Sequence, residues 1–504
     1  MISLPIRPID DYAKTFIQLV LPCVVPLSIN CQAADKINYT KPPFAAFASQ
    51  MTDGLSGGGK YERPVWNLHD SLGLPDWLSF NIEHRTRYES LDGCFRGGCK
   101  GGDQQIPLQT DVFLEARWNG FRLGGEFLDA RQFGSDEGSG INTTAVDDAD
   151  FIQGYLAYGD QNINYSGIGG EIIVGRQTLN FGSRRLIARN VFRNTINSFT
   201  GARVHLLDYN NWQLNVFATM PILRLPNETD QLLDNRQEWD EEDTRTWFSG
   251  AFLEVFDIAW NINVELYLYH LDEGDSTDNQ TRNRRYFTPG FRFYMKPTAG
   301  KLDFQTETIG QFGTLRGSTE ATDGKDLDHA AWMQHADVGY TFDHPWTPRL
   351  AFEYDYASGD ENPNDNHDQR FDTLFGARRF EYGPTGMYGA FARSNINTPG
   401  YRITVNPCSD LQLGLSHRAF WLASDTDAWT TTGSGTSALR DKTGKTSNYI
   451  GQQLELTARY DFNSSLNLET GWTHLFKGDF AKDAPNAPAG KDIDYFYVQS
   501  KLRF

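Results

Sequence analysis

No apolar run in the chain is long enough to cross a bilayer as a helix. The one sustained stretch, Phe16–Ile29, is interrupted by Pro22 and Pro26, and a helical span needs about 20 consecutive apolar residues. Cations are also in short supply. Lys and Arg number 46 against 65 Asp and Glu, leaving a net charge of −19. That balance argues against nucleic acid as a partner, because phosphate binding needs a basic face. Catalytic signatures are missing too: there is no nucleophile elbow, no H-E-x-x-H, no phosphate loop and no dinucleotide fingerprint. The ten His are scattered, and His205, His335 and His417 fall on predicted strands without a Ser or Cys partner. The chain therefore reads as a non-enzyme with no cofactor, although its many acids leave a paired-carboxylate glycosidase open.

Cysteine is sparse, at five residues. Cys23 and Cys31 fall within residues 1–33, which read as a secretion signal: Lys14 precedes the apolar stretch, and Cys31-Gln32-Ala33 offers small residues for cleavage. A buried N-terminal helix is the alternative, and Asp10 and Asp11 are unusual before such a stretch. Cys94-Phe-Arg-Gly-Gly-Cys99 reads as a small disulfide loop of an oxidising compartment. Zinc there would lack two ligands at suitable spacing. Residues 34–77, with Pro42-Pro43 and Gly57-Gly58-Gly59, read as a polar periplasmic or plug-like leader.

What the chain has in quantity is Phe (34), Tyr (22) and Gly (47), a mix that favours strands with many turns. From Leu78 onward, segments of about ten residues alternate apolar and polar, as expected when one barrel face meets lipid and the other meets water. Leu350, Phe352, Tyr354 and Tyr356 share one face opposite Glu353 and Asp355; Leu454, Leu456, Ala458 and Tyr460 oppose Glu455, Thr457, Arg459 and Asp461. Eighteen such segments can be counted: 78–89, 108–118, 121–132, 148–159, 170–180, 202–208, 212–221, 245–256, 260–271, 285–296, 301–313, 330–342, 349–358, 400–406, 411–422, 448–461, 466–476 and 491–504. Their connections alternate short and long. Tight turns such as Asn119-Gly120 and Asn210-Asn211 trade places with long loops such as 181–201, 222–244 and 359–399. A soluble β-sandwich has no reason to do this, whereas an outer-membrane barrel does. The fold expected for 78–504 is all-β: a transmembrane antiparallel up-and-down barrel of about 18 strands, closed because lipid offers backbone groups no partner. The last segment supports it. Phe496, Val498, Leu502 and Phe504 face one way, and a terminal aromatic at Phe504 resembles the signal read by the outer-membrane assembly machinery.

Several short motifs carry a resemblance. Gly175-Arg176-Gln177 is followed by Phe181-Gly182 and Arg185, then by Asn194, Phe199-Thr200-Gly201 and Arg203-Val204. A second stretch runs Glu353-Tyr-Asp-Tyr-Ala-Ser-Gly-Asp360, with Phe371-Asp372 after it. Together, from about Leu78 to Phe504, these resemble the alginate-export porin family. The resemblance implies a single eighteen-stranded barrel in the outer membrane of a Gram-negative bacterium. It also implies a founding activity, export of an anionic polysaccharide through an arginine-rich pore. The chain departs from that pattern. Asn467 and Glu469 stand where the alginate porin has a pair of arginines, and Asp111 stands for another. The resemblance therefore speaks for fold more than for cargo.

On this reading the water-facing wall carries Arg85, Arg87, Arg117, Arg176, Arg292, Arg402, Arg418 and Arg459. It also carries Asp111, Glu115, Glu265, Glu307, Asp337, Glu353, Asp355, Glu455 and Glu469. Fixed charge on a pore wall sets ion preference, and guanidinium suits carboxylates; the alternative is that these charges pair across strands and stabilise a wet interior. The loop 183–203 concentrates Arg184, Arg185, Arg189, Arg193 and Arg203 in an acidic protein. Folded inward it would narrow the channel and favour anions; left outside it would bind lipopolysaccharide. The loop 359–399 opens with an acidic run in which Asp360, Asp365 and Asp368 offer a weak Ca²⁺ site without EF-hand spacing. The favoured function is a passive outer-membrane channel for small or oligomeric, anionic solutes such as carboxylates or sugar acids, with polysaccharide export as one form of it. Its partners would be outer-membrane lipid and lipopolysaccharide, the assembly machinery through Phe504, and a small-molecule or oligosaccharide solute. The alternatives are a surface carbohydrate-binding or carbohydrate-active β-protein, and an adhesive barrel plugged by its own loops.

Overall fold

A computed structural model describes residues 63–99, 101–136, 139–276, 279–320, 322–429 and 438–504. The signal reading of 1–33 and most of the leader reading lie outside the described residues. From Leu78 the alternation is realised as strands: β1 (Leu78–Asp92), β2 (Asp103–Trp118), β3 (Phe121–Phe133), β4 (Asp147–Asp160), β5 (Ile168–Gln177), β6 (Phe199–Asp208), β7 (Trp212–Leu223), β8 (Glu241–Glu242), β9 (Thr246–Ala259), β10 (Ile262–Glu273), β11 (Arg285–Met295), β12 (Lys301–Arg316), β13 (Asp326–Thr341), β14 (Arg349–Ala357), β15 (His367–Asp368), β16 (Ile396–Cys408), β17 (Leu411–Trp421), β18 (Tyr449–Asn463), β19 (Leu466–Lys477) and β20 (Ile493–Arg503). The two-residue strands β8 and β15 belong to loops. The other eighteen pair antiparallel in sequence order, with β7 joined to β9 and β14 to β16. The ring closes where β20 returns to β1, from Glu83↔Arg503 to Asp92↔Asp494. This is the eighteen-stranded barrel expected from the sequence.

Strand ends on the long-loop side run further than the alternation indicates. β2 starts at Asp103 rather than 108, and β13 at Asp326 rather than 330. The added residues, Asp103-Gln104-Gln105 and Asp326-Leu327-Asp328, are mostly polar and so show no apolar alternation. At the other end the turns are tight. Asn119 (φ 46°) and Gly120 (φ 84°) are both left-handed, the backbone that matches strand twist in a two-residue hairpin. One connection the sequence reading does not place, between β4 and β5, contains a single 3₁₀ turn at Ile163–Tyr165.

One face of the cylinder presents Leu114, Leu123, Leu156, Leu268, Leu302 and Phe352 to the outside. The inner face is built differently. Tyr155 lies across Gly124, Tyr267 across Gly290 and Tyr497 across Gly471, each glycine being its cross-strand partner. A Cβ at any of these glycines would fall within the ring. Each hydroxyl then donates 2.5 Å to a wall carboxylate: Tyr155 to Glu115, Tyr267 to Glu307 and Tyr497 to Glu469. Part of the inner wall departs from the expected polarity: Phe199, Phe217, Phe248 and Phe252 also point inward and are buried. Two long loops enter the barrel there and bring apolar side chains that need an apolar wall. At the short-turn end, Trp66 stacks near Phe504 with ring centroids 6.3 Å apart, and its amide donates to Ser465 Oγ at 2.8 Å.

Candidate functional site

The loops 178–198 and 358–395 pack against the inner wall of the barrel. They are zipped together by a short parallel bridge, Ile187 opposite Phe375. Phe375 N donates to Leu186 O (2.9 Å), Ala188 N to Phe375 O (3.1 Å) and Ala377 N to Arg184 O (2.9 Å). Aromatic packing seats the pair on the wall. Phe375 lies 5.1 Å from Phe199 and 5.0 Å from Phe248, and Phe181 lies 5.7 Å from Phe252. The basic loop is therefore folded inward.

Ion pairs anchor it. Arg189 bridges Asp111 on β2 (2.9 Å) and Glu126 on β3. Arg185 joins Glu307 on β12 to Glu381 of the other loop (2.5 Å). Arg393 also grips Glu381, and Arg379 reaches Glu455 on β18 at 2.6 Å and the Tyr497 hydroxyl at 2.9 Å. Burial alone would pull the Arg185 and Arg189 guanidiniums down, but their carboxylate partners more than offset it and raise both. From the wall, Arg85 donates to Val191 O (2.6 Å), Arg193 O (2.9 Å) and Asn194 Oδ1 (3.0 Å). Arg87 donates to Phe192 O at 2.7 Å and pairs with Glu89 at 3.0 Å. Arg184 is left-handed at φ 64° and lies 5.1 Å over the Phe380 ring.

Elsewhere the inner-wall charges pair with one another. Arg117 meets Glu115 (2.7 Å) and Arg292 meets Glu265 (2.7 Å). Arg402 meets Glu353 (3.1 Å), and Arg418 takes both Glu353 (2.6 Å) and Asp355 (2.8 Å). Arg459 meets Asp461 at 3.2 Å. Arg176 is a correction. It shares the outward face of Ile172 and Val174, covered by the loop before β9, where Glu242 holds it at 2.8 Å. The acidic run does not assemble a cation site either. Asp368 is taken by Arg282 (2.8 Å), Asp365 caps the His367 amide (2.8 Å) and Asp360 faces Arg440 at 3.6 Å. Cys94 and Cys99 are disulfide-bonded.

Three guanidiniums that hold no carboxylate lie close together. Arg193 and Arg224 both donate to Asn197 Oδ1, at 2.6 and 3.1 Å, and Arg378 lies beside Arg193. Among the described residues no ion pair within 4.0 Å involves any of the three. All are half-buried and keep contact with solvent. Burial, reinforced by Arg224 and Arg378, pushes Arg193 well down, and burial with Arg393 brings Arg378 to about 9. The sequence reading names Arg193 as a site residue but neither of its companions, which come from two other loops. The three cations thus gather from three loops; Arg193 and Arg378 have no carboxylate within 4.0 Å, and Arg224 feels Asp240 and Asp147 only at longer range.

The sequence profile described as alginate export matches residues 76–492. The chain belongs to the alginate export family. Solved barrels share the fold: OccAB1 of Acinetobacter baumannii at TM-score 0.53 and 12% identity, covering 85% of this chain and 97% of that one; OccK5 (OpdH) of Pseudomonas aeruginosa at 0.51 and 12%, covering 85% and 98%; and the Pseudomonas aeruginosa outer membrane protein opdK at 0.50 and 11%, covering 85% and 98%. No curated protein matches in sequence. Family and closed barrel together make this alginate export family member an outer-membrane channel of a Gram-negative bacterium. Its long loops, including both that enter the lumen, then lie on the extracellular side and its short turns in the periplasm.

Proposed function

We propose that this channel passes carboxylate-bearing solutes, sugar acids or their oligomers, passively along their gradient. The observation that carries the reading is the trio Arg193, Arg224 and Arg378. Most other lumen arginines already hold a carboxylate, whereas Arg193 and Arg378 have none within 4.0 Å and Arg224 feels Asp147 and Asp240 only at longer range, so an entering anion finds the least neutralised positive charge there. Guanidinium offers carboxylate two parallel donors, and a low-dielectric passage strengthens the attraction. The departures at Asp111, Asn467 and Glu469 fit the same picture: the wall of this channel is acidic or neutral where the alginate porin is basic, and Asp111 serves to seat Arg189. Selectivity would thus reside in loops rather than in strands. In a planar bilayer across a KCl gradient the wild type should show a reversal potential of anion preference, and glucuronate oligomers should interrupt the current. The combined variant Arg193→Ala, Arg224→Ala, Arg378→Ala should lose both. An unchanged reversal potential in that variant would refute the reading.

A further inference from the structure

Three carboxylates at the extracellular rim outnumber the two arginines that act on them, Arg176 and Arg224. Asp147 and Asp150 begin β4, and Asp240 closes the loop 224–240 that leads into β8. One oxygen from each carboxylate lies within 4.8 Å of the others, and all three side chains are buried. Part of the gathering is explained by backbone donors. The Asp240 amide donates to Asp150 Oδ2 at 2.5 Å and the Leu225 amide to Asp240 Oδ1 at 2.8 Å. Asp147 has no such account. It is 0% exposed, and neither of its carboxylate oxygens has a hydrogen-bond partner. The neighbouring cations are engaged elsewhere: Arg176 stands 3.8 Å from Asp150 but is held by Glu242 at 2.8 Å, and Arg224 donates to Asn197. Another buried acidic group among the described residues is the contrast. Asp355 and Glu381, with His335, are met by Arg418, Arg185 and Arg393.

We infer that Asp147, Asp150 and Asp240 together hold a divalent cation of the hard, oxygen-seeking kind, calcium before magnesium. Three carboxylates with no nitrogen or sulfur donor select against zinc and copper. The irregular spacing suits Ca²⁺, which accepts six to eight oxygens in flexible geometry, better than Mg²⁺, which demands an octahedron. The ion would staple one loop to the barrel. That loop spans several strands: Asn235 exchanges hydrogen bonds with the Gln132 backbone at 2.7 and 2.8 Å, Leu232 packs on Ile141 and Val146, and Trp239 stacks on Phe151 at 6.1 Å.

The test uses the purified full chain in detergent, with Tb³⁺ as a calcium probe. Trp239 adjoins Asp240 and should sensitise Tb³⁺ emission. A saturable signal is expected, displaced by Ca²⁺ and far less well by Mg²⁺. Asp147→Asn should weaken the binding at least tenfold while the barrel keeps its heat-modifiable mobility on gels. If Asp147→Asn does not assemble, Asp240→Asn in the loop serves instead. A wild type without saturable emission, or variants that bind equally well, would overturn the site and leave a cluster held by shared protons. Equal displacement by Mg²⁺ would overturn the choice of calcium. Tb³⁺ emission reads metal binding and the reversal potential reads solute charge; the pair Arg193→Ala, Arg378→Ala leaves Arg224 beside Asp147 and Asp240, so this inference and the solute reading fail separately.

Discussion

Where the loop 178–198 meets β2, β3 and β12, its guanidiniums meet carboxylates: Arg189 against Asp111 and Glu126, Arg185 against Glu307. Where the same loop meets the loops 224–240 and 358–395, Arg193 meets Arg224, Arg378 and the amide of Asn197. One side of the constriction is an anchor and the other an address. The difference teaches that arginine content says little about a pore until each cation has been assigned its counter-charge. A paired guanidinium holds the loop, and only an unpaired one is left for the solute.

The strongest way to break this comparison is to cut the anchor. Arg189→Ala leaves Glu126 and Asp111 facing each other in a buried site, and losing one partner of such a pair costs about 3–5 kcal/mol. Hydrogen exchange should show 178–198 unprotected, and single channels should conduct more and flicker. Protection unchanged from wild type would mean that apolar packing alone seats the loop. A smaller loss, about 1–3 kcal/mol of loop docking, is expected from Glu381→Gln, which weakens the grip of Arg185 and Arg393 at once; proteolysis within 358–395 should accelerate.

Acid offers a graded version. Burial pushes the Asp372 carboxyl up, but Arg284 and the Tyr286 hydroxyl more than offset this and bring it to about 2, against an ordinary 3.8. A carboxyl lowered on folding stabilises fully above its unfolded value and loses that contribution as pH falls through the folded one. The docking of 358–395 on β11 should therefore persist unchanged down to about pH 4 and fade toward about pH 2, a span of about 2 kcal/mol. Exchange protection measured from pH 6 to 2 should show that step, and Asp372→Asn should abolish it. The least disturbance to stability belongs to the address side. Arg193→Ala removes a repelled cation, so thermal stability should stay within about 0.5 kcal/mol even as the reversal potential moves. A large destabilisation there would show that Arg193 is structural after all.

Much of the barrel was legible because lipid and water impose a period of two on every strand. All eighteen segments read from the alternation are strands, and the ends misplaced at β2 and β13 are mostly polar extensions on the long-loop side. Arg176 was assigned to the wrong face for a related reason. Glu171-Ile172-Ile173-Val174 is apolar on both sides, so alternation there carries no sign, and a loop covers the arginine outside. The inward phenylalanines of β6, β7 and β9 are invisible until the loops they receive are known. The functional charges were legible only one at a time. Arg193, Arg224 and Arg378 come from three loops, and Asp147, Asp150 and Asp240 from two stretches about ninety residues apart in sequence; no local pattern joins them. The family motifs identify the scaffold without saying which cations its own wall has already claimed.

The tyrosines that recline on glycines have a consequence for how such channels diverge. Each ring occupies room that its neighbour leaves vacant, so the wall acquires an aromatic, hydrogen-bonding lining without growing thicker toward the axis. The calibre of the passage is then set by the two inserted loops, and the cylinder acts as a fixed housing. Lengthening or shortening either loop would re-gauge the opening for a new cargo while leaving every strand in register.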